Sequence, residues 1–75
     1  MNNVTRKQIK NLISELNTIS DKLENILDDE QDKFDNLSEG LQYSLMGETM
    51  EDAIDCMNDG LNSINEAIIN LKNIQ

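Results

Sequence analysis

Apolar residues recur along the first half of the chain at Ile9, Leu12, Leu16, Ile19, Leu23 and Ile26. The steps are 3, 4, 3, 4 and 3, a spacing that lines one side of an α-helix and forms a seam with a neighbouring helix. Ile13, Leu27 and Phe34 fall on the adjoining line, so the stripe is wide and drifts as in a straight helix. In the second half Met50, Ile54, Met57, Leu61, Ile64, Ile68 and Leu71 step by 4, 3, 4, 3, 4 and 3. Beside them run Ala53, Gly60 and Ala67, each seven apart and ending at Ile74. Small side chains let a partner helix approach closer than the usual ~8–10 Å. Gly60 costs about 1 kcal/mol of helix propensity relative to Ala, and a close contact is its expected compensation.

Between the two stripes the heptad phase is lost, and Asn36, Ser38 and Gly40 are turn and cap residues. Ser44, or Thr49 with Asp52 three residues on, is placed to cap a second helix. The pattern predicts a helix over about 4–34, a connection over about 35–43 and a helix over about 44–73. Each helix is roughly 45 Å long at 1.5 Å per residue. A short link between long helices makes an antiparallel hairpin, so residues 1–75 are expected to form one all-α domain.

A hairpin has one inner face, and each stripe is wider than one partner helix covers. Chains of this size bury little core. The expected outcome is a homo-oligomeric helical bundle, most simply a dimer of hairpins. Its core is expected to use Ile9, Leu12, Leu16, Ile19, Leu23, Ile26, Met50, Ile54, Met57, Leu61, Ile64, Ile68 and Leu71.

Composition narrows the chemistry. Six Lys and Arg against fifteen Asp and Glu leave a net charge of -9, with no His, Trp or Pro. Without His there is no imidazole base and no nitrogen ligand for zinc or di-iron. The lone Cys56 gives no intramolecular disulfide framework and fits a reducing, cytoplasmic compartment. No apolar run approaches the roughly 20 residues of a membrane span. The acidic balance argues against direct binding to DNA or to anionic membrane.

The charge is unevenly spread. Residues 1–20 and 61–75 carry Arg6, Lys7, Lys10 and Lys72 against Glu15 and Glu66, a sum of +2. Residues 21–60 carry Lys22 and Lys33 against thirteen acids, a sum of -11. Asp28, Glu30, Asp32, Phe34, Asn36 and Glu39 stand at calcium-loop offsets, but Lys33 occupies the position that needs Gly. No metal and no cofactor is expected. With no buried carboxylate pair, phosphate loop or nucleophile elbow, and no His for Cys56, the chain is not expected to be an enzyme.

The connection carries a motif. Asp35-Asn36-Leu37-Ser38-Glu39-Gly40-Leu41-Gln42-Tyr43-Ser44, followed by Glu48, Glu51 and Ala53, resembles a recurring pattern in short phage- and prophage-encoded proteins. That pattern reads D-N-x-P-E-x-L-Q-x-S-x-x-x-E-x-x-E-x-A between long Leu- and Ile-rich helices. Ser38 stands where the pattern has Pro, which loosens the turn. The resemblance implies phage biology. In size and architecture the hairpin is also similar to phage sponges that sequester nucleotide messengers of bacterial immunity.

A ligand of that kind, a cyclic nucleotide or an ADP-ribose derivative, suggests roles for particular residues. Asn36 and Gln42 can bond a base edge and Tyr43 can stack on it. Arg6 and Lys10, from a neighbouring protomer, can meet its phosphates. The plainer alternative has Asn36 and Ser38 capping helix ends while Leu37, Leu41 and Tyr43 plug the end of the bundle. Two other functions remain open. One is an interaction module in which Glu48, Glu51, Asp52, Asp55 and Asp59 occupy a basic host protein as a nucleic-acid mimic. The other is a purely structural bundle.

Overall fold

The computed structural model describes residues 1–74, and they form a helical hairpin. Helix α1 spans Asn3–Asp35, a single helical turn α2 spans Glu39–Gln42, and α3 spans Leu45–Lys72. The molecule is a rod with principal extents of 58 × 15 × 13 Å.

Local chemistry sets each boundary. Asn2 caps α1, its Oδ1 accepting from the Thr5 amide at 2.8 Å. At the other end the Asn36 and Leu37 amides close on the carbonyls of Asp32 and Phe34, each at 3.1 Å. Helix α3 begins at Ser44, whose Oγ accepts from the Gly47 amide at 3.3 Å and whose hydroxyl donates to the Leu41 carbonyl. Of the two candidate caps, Ser44 is therefore used. Thr49 lies inside the helix and donates to the Leu45 carbonyl at 2.9 Å. The connection, expected as a loop over 35–43, holds the extra turn α2, in which Gln42 and Tyr43 amides bond Ser38 and Glu39 carbonyls.

Gly47 is required where α3 starts. A Cβ there would fall on the backbone carbonyl oxygens of Gln42 and Leu41. Backbone of a packed turn cannot move aside as a flexible side chain does, so only a bare Cα lets α2 fold onto α3.

The two long helices run antiparallel. Ser20 of α1 donates to Asn65 Oδ1 of α3 at 3.0 Å, and Leu23 lies beside Gly60. Between the helices sit Ile13, Leu27, Ile54 and Ile68, each with at most 9% of its surface exposed. No side chain among the described residues is fully enclosed, since a pair of helices has no third layer above it.

Within one chain the seam uses part of the set expected for the bundle core. On α3 Ile54 and Ile68 are buried and Met50, Met57, Leu61, Ile64 and Leu71 half-buried. On α1 the inner rows are Ile9, Leu16 and Leu23 with Ile13, Ser20, Leu27 and Phe34. Leu12, Ile19 and Ile26, read as part of the seam, are 50%, 50% and 57% exposed. The apolar stripe of α1 is three rows wide, and one partner helix covers two. Spacing alone does not say which two. Ser20 hid the true row by being polar, and the structure satisfies its hydroxyl with Asn65.

Candidate interaction surfaces

The residues singled out for ligand binding are divided between the two ends of the rod. Asn36, Gln42 and Tyr43 share the loop end, while Arg6 and Lys10 lie exposed near the start of α1. Thirty residues of helix separate Arg6 from Asn36, roughly 45 Å at 1.5 Å per residue. One chain does not bring the two groups together, and no cavity opens among the described residues.

Within the loop group the three side chains differ. Gln42 turns inward, its Nε2 donating to the carbonyls of Phe34 at 3.2 Å and Leu37 at 3.3 Å. The side chain thereby ties α2 to the last turn of α1 and to the residue that follows its cap. Asn36 is exposed and closes α1 through its backbone amide. Within one chain Tyr43 is 79% exposed and Leu41 45%, so neither packs onto the end of the hairpin, while Leu37 is half-buried. Gln42 as a staple between α2 and α1 is a role that sequence pattern misses. Its signal, a lone amide in a tight turn, is shared with every solvent-facing Gln.

The calcium-loop offsets fall on helix as far as Asp35, which spreads Asp28, Glu30 and Asp32 around the axis instead of turning them inward. Among the described residues no three Cys or carboxylate groups gather around a common point.

Two surfaces are built rather than scattered. The first is acidic. Of the thirteen carboxylates in residues 21–60, all but Glu30 are on exposed residues. The one ion pair among the described residues joins Lys33 to Glu30 at 3.9 Å, and an exposed pair of this kind adds little. The pairings of Ser20 with Asn65 and Leu23 with Gly60 set residues 25–36 alongside residues 48–59. Those two stretches hold Asp28, Asp29, Glu30, Asp32 and Asp35, then Glu48, Glu51, Asp52, Asp55 and Asp59, against Lys33 alone.

The second surface is apolar. Leu12, Ile19 and Ile26 form one outer row on α1, and Met46, Ala53, Gly60 and Ala67 form another on α3. Gly60 faces Leu23, whose row lies next to that of Leu12, so both outer rows edge the same side of the hairpin. Asn65 marks the opposite side, where Lys10, Asn17, Glu24 and Gln31 face Glu51, Asn58 and Lys72. None of the fifteen carboxylates stands in either outer row.

The chain matches no protein family, no curated protein and no solved structure. The phage-type pattern of the connection therefore rests on residues 35–53 themselves, and the reading of function rests on these surfaces.

Proposed function

We propose that this protein is a non-catalytic interaction module whose acidic loop end occupies the nucleic-acid-binding surface of a basic host protein. The observation that carries this reading is linear charge density. Residues 25–36 and 48–59 together hold a net nine negative charges. Twelve helical residues at 1.5 Å each make that about one charge per 1.8 to 2.0 Å of rod. Duplex DNA presents about one per 1.7 Å. A groove lined with Lys and Arg to hold DNA meets a similar field along this rod. The phage-type pattern of the connection supports a setting in counter-defence, where blocking a host nuclease or repressor is useful.

Sequestration of a nucleotide messenger has weaker support. It needs Asn36, Gln42 and Tyr43 free to meet a ligand beside Arg6 and Lys10 of a neighbouring protomer, yet the Gln42 amide is already bonded to the carbonyls of Phe34 and Leu37.

The test is displacement of fluorescent duplex DNA from a panel of purified basic DNA-binding proteins. The expected result is displacement from at least one of them, weakening steeply as salt rises. The effect should disappear in the fivefold variant Glu48→Gln, Glu51→Gln, Asp52→Asn, Asp55→Asn, Asp59→Asn. No displacement at low salt anywhere in the panel, or undiminished displacement by that variant, overturns the proposal.

A further inference from the structure

We propose that the apolar side edged by Leu12, Ile19 and Ile26 on α1 and by Met46, Ala53, Gly60 and Ala67 on α3 is covered by a second copy of this chain lying head to tail, with each loop end beside the other copy's termini. This concerns a different surface from the acidic one, and neither proposal depends on the other.

Continuity is the first argument. The α1 row runs roughly 21 Å from Leu12 to Ile26 and the α3 row roughly 32 Å from Met46 to Ala67. The isobutyl and sec-butyl groups of Leu12, Ile19 and Ile26 stand half out of the surface along their row. Contiguous apolar surface of this extent marks an association site.

Charge then selects the occupant and its direction. Both outer rows are free of carboxylates, so a second copy meets no buried acid there. A parallel pair sets the -11 loop ends side by side, while a head-to-tail pair sets each beside a terminal end of +2. Charges screen over about 8 Å at physiological salt, so each end responds to its immediate neighbour and not to the far end of a 58 Å rod. Local repulsion disfavours the parallel pair and local attraction favours the reversed one.

Three measurements on the full chain decide it. Sedimentation equilibrium at micromolar concentration is expected to give twice 8.5 kDa. Ile19→Glu is expected to halve that mass. Ile69→Glu, on an exposed site outside both outer rows, leaves it unchanged and separates face disruption from the mere addition of an acid. For direction, Tyr43→Cys in a Cys56→Ser background carries a spin label at the exposed loop end. Head-to-tail pairing places the two labels near the full 58 Å of the rod apart. Parallel pairing brings them within roughly 20 Å, two helix spacings. A monomer mass, a dimer that survives Ile19→Glu but not Ile69→Glu, or a short label distance overturns the proposal. A monomer mass assigns the face to a different partner.

Discussion

Leu12 and Ile13 are neighbours of nearly equal size and hydrophobicity, yet the structure leaves half of one exposed and buries all but 7% of the other. The same contrast repeats at Ile19 and Ser20, and at Ile26 and Leu27. One position along a helix is a rotation of about 100°, enough to carry a side chain from the inner seam to the outer edge. The inner row serves the fold of the single chain. The outer row does nothing for that fold, and it is the more hydrophobic of the two. The inner rows hold one Ser among seven positions, and the outer row of Leu, Ile and Ile is left over once one partner helix has packed.

The sharpest way to break this contrast is to truncate both rows. Ile13→Ala is expected to cost about 2–4 kcal/mol by removing a buried side chain, read by urea denaturation at any chain concentration. Leu12→Ala is expected to cost less than about 0.5 kcal/mol in dilute solution, as exposed substitutions do. Equal losses in the two variants would erase the distinction between the rows.

Next in size is Gly47→Ala. Its Cβ meets backbone carbonyls and not a yielding side chain, so a loss of about 1–3 kcal/mol is expected from overpacking. A thermal melt unchanged from the parent sequence would show that α2 can lift away from α3 without cost.

The loop end offers a smaller contrast of the same kind. Gln42→Ala removes two hydrogen bonds to the end of α1 and is expected to cost about 1 kcal/mol. Amide exchange should then speed up at the end of α1. Tyr43→Ala, at a side chain open to solvent, is expected to leave stability and exchange alike unchanged. The smallest effect belongs to Gly60→Ala. Its added methyl would sit 3.9 Å from Leu23 Cδ2, an ordinary contact. In dilute solution helix propensity should raise stability by about 0.5–1 kcal/mol. If a second copy closes on Gly60, the same change weakens association, and the two measurements move in opposite directions.

Much of the architecture was legible before any coordinates. Uninterrupted steps of three and four identify both long helices, and the seam on α3 lies where its heptads place it. The displaced seam on α1 has a definite cause: three apolar rows offer two equivalent choices to one partner. The deciding terms, a Ser20–Asn65 hydrogen bond and the placement of α2, involve residues 45 positions apart or a turn absent from the pattern. The candidate site was less legible. Residue type suggested that Asn36 and Gln42 face a ligand, whereas Gln42 is committed to carbonyls of its own connection. Periodicity reports which positions share a side, but not which polar groups are already satisfied.

A rod two helices across keeps every residue one layer from water, and none of the described side chains is fully enclosed. Such a molecule has no slow-opening kernel to shelter it from proteolysis, because parting the helices anywhere exposes the chain. If the outer apolar rows are covered by a partner, parting the helices would first require its release, and protease resistance would then rise with the partner's concentration.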